Sequence, residues 1–320
     1  MKEYGGYIEL ERFYGDEYHN GAIALNSGRH CVEYLIRAKG IKMLWMPYFM
    51  CDSVSELCGK LNVEIKYYHI DSSFLPVLDG HYSDNEYVYI VNYYGQLSNA
   101  CIEALKDSLG NIIVDNVQAF FQKPVDNVDT LYSCRKFFGV PDGAYLYTDT
   151  KLNMELEIDV SYDRMSFLLG RFEKTANEFY QQYVANNQLF KTESMKRMSA
   201  LTHNLLRGVD YERVRNVRTY NFRFLDEKLS AINKLELKET DGAFMYPLYI
   251  DNGHKTRKML HKKNIYVPTL WPDTFDICRK GEIEYDMAEN ILPLPIDQRY
   301  NINDMEYIIY ILKGVVESEI

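Results

Sequence analysis

The sequence lacks the features of two broad classes of protein. Its 320 residues contain no apolar run approaching the ~20 residues that a membrane-spanning helix needs. Basic residues are outnumbered, with 36 lysines and arginines against 46 acids and a net charge of −10. A general nucleic-acid-binding protein needs a basic face, so this balance argues against that class. We therefore expect a small-molecule substrate and neither a membrane nor a nucleic acid as partner.

Metal and disulfide motifs are also missing. None of the six cysteines forms a CxxC pair, and the seven histidines show no spacing typical of metal ligands. The charged N-terminal segment differs from a signal peptide, and no lipidation motif is visible. Free cysteines in a reducing compartment fit these observations. We expect a cytoplasmic protein with no metal site.

Strand and helix patterns alternate along the first half of the chain, which predicts an α/β fold with a mostly parallel sheet. Residues 165–232 are almost entirely helical in pattern, with a break at Gly208. Beyond them, strands at 244–250 and 265–267 and helices at 254–262 and 304–315 predict a smaller α/β lobe. The expected division is a large domain over residues 1–208 and a small C-terminal domain over residues 209–320.

The first chemically informative segment is a short apolar run that stops on an acid. Ile112, Ile113 and Val114 precede Asp115, and Gln118 follows three residues later. Such a run is typical of a buried parallel strand with a carboxylate at its carboxyl end. Ligands bind at that end in open α/β sheets. The common alternative is that Asp115 caps the next helix or pairs with an arginine.

The second segment, at residues 131–138, predicts a further strand, and it contains Ser133, Arg135 and Lys136. A lysine near a strand-terminal acid suits pyridoxal 5′-phosphate, which needs a lysine for its Schiff base and an acid beside its pyridine nitrogen. Arg135 has two open roles: it lowers the pKa of the neighbouring lysine, or it points into solvent. A lone lysine is otherwise most often a solvated surface residue.

The order and spacing of these residues resemble the DegT/DnrJ/EryC1/StrS family of sugar aminotransferases, which are fold-type I pyridoxal phosphate enzymes. In that family a strand-terminal acid is followed after three residues by glutamine, as Asp115 is by Gln118. The family's lysine is followed at six and seven residues by an acid and glycine, as Lys136 is by Asp142 and Gly143.

Further matches extend the resemblance over most of the chain. Residues 26–28 resemble the family's phosphate-binding motif, although Arg29 stands where the family has threonine. Pro47 ends a strand as the family's proline-led turn does, and residues 292–295 resemble its C-terminal signature. The family's aromatic residue that stacks on the cofactor ring aligns near residues 50–51. Four neighbouring aromatics are candidates for that role: Tyr48, Phe49, Tyr93 and Tyr94.

The resemblance implies the role of each site residue. Lys136 would form the Schiff base and carry protons, Asp115 would hold the pyridine nitrogen protonated, and Gln118 would bind the ring's phenolic oxygen. The phosphate would be bound by the residues Ser27, Gly28, Arg29 and Ser133.

The function implied is amination of a nucleotide-linked keto sugar, with glutamate or glutamine as donor, for surface polysaccharide or related sugar synthesis. A homodimer is also implied, with the N-terminal arm and residues 165–232 as candidate contacts. Two alternatives remain. One is a lyase or dehydratase with the same cofactor, against which Lys136 argues, because dehydrating relatives replace the lysine. The other is a non-catalytic scaffold, favoured by Arg29, the missing aromatic and the short chain.

Overall fold

The structure is a computed structural model that describes residues 4–78, 82–83 and 85–317. Its strands are β1 (Ile23–Leu25), β2 (Met43–Pro47), β3 (Glu64–Ile70), β4 (Pro76–Val77), β5 (Glu86–Val91), β6 (Ile112–Asp115), β7 (Asp129–Ser133), β8 (Ala144–Tyr147), β9 (Tyr246–Tyr249) and β10 (Ile291–Leu294). Its helices are α1 (Gly28–Lys39), α2 (Asp52–Leu61), α3 (Asn99–Leu109), α4 (Ser166–Glu173), α5 (Tyr180–Thr192), α6 (Ala200–Arg207), α7 (Tyr211–Leu229), α8 (Gly253–Lys262), α9 (Thr274–Ile277), α10 (Ile283–Asn290) and α11 (Ile302–Glu317).

The main sheet has eight strands in the order β1-β8-β7-β6-β5-β2-β3-β4. Its centre, β7-β6-β5-β2-β3, is parallel throughout, and the pairings at either edge are antiparallel. Parallel strands need long crossover connections, and α2 and α3 supply two of them. The predicted α/β fold with a mostly parallel sheet is confirmed.

The apolar run before Asp115 forms β6 as predicted. Ile112, Ile113 and Val114 are at most 3% exposed, because β6 lies in the middle of the sheet between β5 and β7. Asp115 pairs in register with Val91 on one side and with Leu131 on the other. The carboxylate therefore lies at the carboxyl edge of the parallel strands.

The helical segment at residues 165–232 is confirmed, with α4, α5, α6 and α7 following one another. Gly208 caps the C-terminal end of α6, and α7 begins three residues later. No helix in the described part of the chain is both long and apolar enough to cross a bilayer.

The C-terminal lobe has a hydrophobic core of its own, formed by β9, β10 and the inner faces of α7, α8 and α11. The predicted strand at 265–267 is wrong, because these residues pair with no other strand. Ile265 and Val267 are nevertheless buried in the lobe core. The Val267 N–H donates to Nε2 of His261, so a side chain satisfies the backbone there. The boundary between domains at residue 208 remains a prediction.

Candidate functional site

Asp115 lies buried where the parallel strands end, and two donors bind its carboxylate. The Tyr89 hydroxyl donates to Oδ2 at 2.7 Å, and the Val117 N–H donates to Oδ1 at 2.9 Å. Burial is the largest influence on the Asp115 carboxyl and raises its pKa above the ordinary value, although Lys136 and both hydrogen bonds oppose that shift. The two hydrogen bonds leave lone pairs on the carboxylate for a further donor. The alternative role as a helix cap does not apply, since no helix begins directly after Asp115.

Lys136 lies on a single 3₁₀ turn, Cys134–Lys136, that follows β7. The strand predicted over residues 131–138 is therefore wrong beyond Ser133. The Phe137 and Phe138 N–H groups both donate to the Cys134 carbonyl, at 3.0 and 2.9 Å, which closes the turn and ends the sheet ladder. Lysine is thus placed just past the carboxyl end of β7, the strand that pairs with β6.

The side chain of Lys136 is exposed and lines a cavity beside α4 and α5. Burial lowers the pKa of its amine, and the proximity of Asp115 and Cys51 opposes that shift. Nζ lies 5.6 Å from the centroid of the Phe244 ring. A lysine whose neutral form is favoured in this way is a better nucleophile and proton carrier.

Arg135 does not point into solvent as its position in a strand would have allowed. Its guanidinium lies 4.7 Å from the Phe190 ring and donates to the Asn187 side chain, so it packs against α5. Because the turn rotates successive side chains away from one another, Arg135 and Lys136 face different neighbours.

Asp142 and Gly143, which match the family's acid and glycine, connect the 3₁₀ turn of Lys136 to other parts of the chain. Asp142 is fully buried and accepts from the Ser199 N–H and hydroxyl, both at 2.8 Å, and from the Thr202 hydroxyl. Gly143 has φ +113°, and an added Cβ would lie 3.0 Å from a Thr202 methyl. Its N–H donates to the Asn26 carbonyl and its carbonyl accepts from the Cys134 N–H. This pair therefore fixes the Lys136 turn against α6 and the start of α1.

We expect the Asp142→Ala variant to be less stable by about 3 kcal/mol, because it leaves one buried N–H and two buried hydroxyls without their acceptor. The free energy of unfolding in urea measures this loss. Asp149→Ala is the control, since that carboxylate is 71% exposed in its pair with Lys39 and should change stability little. Equal stability of Asp142→Ala and wild type would contradict this role.

The N-terminus of α1 approaches the same region. Ser27 is its N-cap: the hydroxyl accepts from the His30 N–H at 3.3 Å and lies 2.9 Å from His30 Nδ1. A Cβ on Gly28 would contact Val117 and Leu131, so the first turn of α1 lies beside the end of β6. The structure thus brings Ser27, Gly28 and Asp115 to one edge of the sheet. Free N–H groups at such a terminus favour an anion.

Arg29 lies one residue further and has a protein partner. Its Nη1 is 3.3 Å from Glu56 Oε2, and Glu56 also pairs with Lys191 at 2.7 Å. The phosphate role of Arg29 remains a prediction. An anion there would have to share the guanidinium with Glu56.

Gln118 is 1% exposed, and its Oε1 accepts from the Tyr94 N–H at 2.7 Å. A backbone donor fixes the orientation of the amide, so Nε2 is the end available to a ligand oxygen. Ser133 is the last residue of β7 and makes no side-chain cap to the turn.

The aromatic candidates for ring stacking are engaged elsewhere. Tyr48 stacks on Tyr67 with ring centroids 5.1 Å apart. The other three, Phe49, Tyr93 and Tyr94, are 1% exposed and pack around Trp271. Cys51, at the start of α2, is the side chain from this turn that lies close to Lys136.

A cavity of about 880 Å³ lies beside the Lys136 turn, between α4, α5 and the C-terminal lobe. Its lining includes Lys136 and Phe137, but Asp115, Gln118 and Ser27 do not contribute. Of the catalytic candidates, Lys136 therefore borders this cavity and Asp115 does not.

The solved structures that superimpose on this chain include sugar aminotransferases. A DegT/DnrJ/EryC1/StrS aminotransferase from Brucella abortus superimposes with a TM-score of 0.63, covering 92% of this chain and 85% of that one at 16% identity. A putative sugar aminotransferase from Streptococcus pneumoniae, in its PMP form, gives 0.63 over 93% and 88% at 12% identity. The NtdA protein from Bacillus subtilis, with bound PMP, gives 0.65 over 92% and 73% at 12% identity.

The chain has the fold of the DegT/DnrJ/EryC1/StrS aminotransferases. No family profile and no curated protein sequence matches it. The resemblance seen in the sequence is thus supported at the level of the fold. The predicted fold-type I architecture is confirmed.

Two residues of this candidate site were not predicted from the sequence. Tyr89 bonds Asp115 because β5 and β6 are parallel and Val91 pairs with Asp115, so the side chain two residues before Val91 shares that face. The alternation of side chains along β5, together with the register between β5 and β6, would have predicted the contact between Tyr89 and Asp115. Phe244 approaches Lys136 from the C-terminal lobe, more than 100 residues away, and no local pattern marks that contact.

Proposed function

We propose that the protein is a pyridoxal 5′-phosphate-dependent aminotransferase. One observation carries this proposal. A buried carboxylate, Asp115, lies near enough to Lys136 to influence its pKa at the carboxyl edge of the sheet, in a fold shared with aminotransferases. When bound, the cofactor supplies an electron sink for the substrate carbon.

The residues around Asp115 and Lys136 fit that group. Asp115, which accepts from the Tyr89 hydroxyl and the Val117 N–H, would hold the protonated pyridine nitrogen, whose positive charge would in turn favour the carboxylate form. Gln118 would donate through Nε2 to the phenolic oxygen. The phosphate would lie at the N-terminus of α1, bound by Ser27 and Gly28 with help from Arg29 and Ser133.

Lys136 would attach the cofactor covalently and carry protons during the reaction. Its lowered pKa raises the fraction of neutral amine, which is the form that attacks a carbonyl and accepts a proton. The Phe244 ring, with its centroid 5.6 Å from Nζ, gives the amine an apolar neighbour. The acceptor is a keto sugar attached to a nucleotide, and the amino donor is glutamate or glutamine. Such a product serves surface polysaccharide or related sugar synthesis in the cytoplasm.

An absorbance scan of the purified protein with added pyridoxal phosphate tests the proposal. A band in the visible, and its loss on adding glutamate or glutamine, are the expected results. Absence of any band would favour the non-catalytic scaffold. A band that persists with both donors, together with release of water or ammonia from substrate, would favour the lyase or dehydratase.

We also propose a homodimer, since fold-type I sites commonly lie between subunits related by two-fold symmetry. Large apolar side chains of α4 and α5 support a contact there: Leu169 is 61%, Phe172 92% and Tyr180 57% exposed. Light scattering should give twice the 37.6 kDa mass of the chain. Phe172→Glu should favour the monomer, whereas Tyr310→Glu, at a residue that is 74% exposed but lies on α11, should not. A wild-type monomer at micromolar concentration would contradict the dimer.

A further inference from the structure

Arg218 is a buried guanidinium in α7 that has no carboxylate within ion-pair distance among the described residues. It is 2% exposed, and burial lowers its pKa to about 10, with Asp297 opposing the shift. Burying such a cation is costly unless its donors are satisfied. Hydrogen bonds to neutral groups must therefore compensate for the cost of burying the Arg218 guanidinium.

Four oxygen acceptors surround the guanidinium. Nε donates to Gln298 Oε1 at 2.9 Å, and Nη1 donates to the carbonyls of Ala243 and Phe244 at 3.0 and 3.1 Å. Nη2 makes a longer contact of 3.5 Å with the Phe137 carbonyl. Arg218 thereby connects α7, the segment before β9 and the residue that follows Lys136.

Gln298 completes the contact to the lysine turn. Its Nε2 donates to the Phe137 carbonyl at 2.7 Å, while the Phe137 ring lies 4.6 Å from the guanidinium carbon of Arg218. Gln298 follows β10 in the C-terminal lobe, so the strongest bond to this carbonyl comes from that lobe.

Arg218 therefore binds both parts of the chain that contact Lys136, the Phe137 backbone and the segment that carries Phe244. The backbone immediately after Lys136 is bound by Gln298 and Arg218. The Phe244 ring beside Nζ belongs to a residue whose carbonyl is bound by Arg218. A single 3₁₀ turn has few hydrogen bonds of its own, so external contacts decide how well it is fixed.

We infer that Arg218, together with Gln298, is a positioning residue for Lys136 and couples the C-terminal lobe to the lysine turn. The expected effect on attachment of pyridoxal phosphate to Lys136 rests on the proposed function. The contact by which the C-terminal lobe orders the lysine turn does not. Arg218 does not touch the reacting atoms; it acts by fixing the Phe137 carbonyl and Phe244.

The first experiment measures the rate at which pyridoxal phosphate becomes fixed to the protein by borohydride. Arg218→Met should slow this attachment by roughly 10- to 100-fold, the effect of a misplacement of about 1 Å. Arg218→Lys keeps the charge but not the forked geometry, so it should restore only part of the rate. The pH midpoint of the visible band should also differ between Arg218→Met and wild type.

Arg257→Met is the matched control. Arg257 is another buried guanidinium of the same lobe, bound to the Glu289 and Ile291 carbonyls at 3.1 and 2.6 Å and not to the lysine turn. It should lower the melting temperature without changing the attachment rate of the folded protein. If Arg257→Met slows attachment as much as Arg218→Met, or Arg218→Met leaves the rate unchanged, the inference is overturned.

Hydrogen–deuterium exchange without cofactor separates this inference from the proposed function. In Arg218→Met and Gln298→Leu, the amides of residues 134–138 should exchange faster than in wild type and Arg257→Met. If wild type never fixes pyridoxal phosphate but exchange shows this pattern, the coupling holds and the proposed function fails. Unchanged exchange at 134–138 in both variants would overturn the coupling whatever the cofactor result.

Discussion

Lys136→Ala should abolish covalent fixation of pyridoxal phosphate and lower aminotransferase activity by at least about 10²- to 10⁴-fold, the range for a lost general acid–base group. The fold should remain, since the side chain is exposed and its loss removes no core packing. The variant should melt near the temperature of wild type measured without cofactor.

Borohydride reduction followed by mass measurement of the intact chain checks this result. Wild type should gain the mass of the reduced cofactor and the variant should not, although the variant can still bind the free aldehyde through Asp115, Ser27, Gly28 and Ser133. Lys151→Ala, an exposed lysine, is the control and should behave as wild type. Arg135→Ala is a less clean control, because Arg135 packs on Phe190. Equal fixation in Lys136→Ala and wild type would identify another lysine as the tether.

Asp115→Asn should leave covalent fixation in place and lower turnover by about 10²-fold or more. Asparagine keeps the shape and can still accept from Tyr89, but it carries no charge to hold a protonated pyridine nitrogen. The Asp115 carboxylate favours the protonated form of Lys136, so removing it should lower the Lys136 pKa further. The rise of the attachment rate with pH should therefore move to lower pH.

Steady-state kinetics and the pH profile of attachment measure the two effects. Asp129→Asn is the matched control, because Asp129 is also buried but pairs with Lys39 at 2.8 Å at the amino end of β7, the opposite edge of the sheet. It should cost stability and leave the pH profile unchanged. Wild-type turnover in Asp115→Asn would remove Asp115 from the proposed role.

Local patterns in the sequence determined the main framework of the site. The β-branched run ending in Asp115 predicted a buried strand because continuous apolar residues suit a strand covered on both faces. The helix break at Gly208 was predictable because a helix end depends on the backbone within a few residues. The parallel pairing of β6 and β7 then places Asp115 and the end of β7 at one edge of the sheet, independently of contacts with distant side chains.

The tertiary structure alone decided what each side chain meets. Arg29 is held by Glu56, Asp142 by Ser199 and Thr202, and these partners lie 27 to 60 residues away. Arg218 and Gln298 reach the Phe137 carbonyl across 81 and 161 residues. Such contacts follow from the packing of whole elements and leave no periodic trace in the sequence. The sequence therefore determined where a lysine and an acid meet, and the packing of the C-terminal lobe determined how that lysine is held.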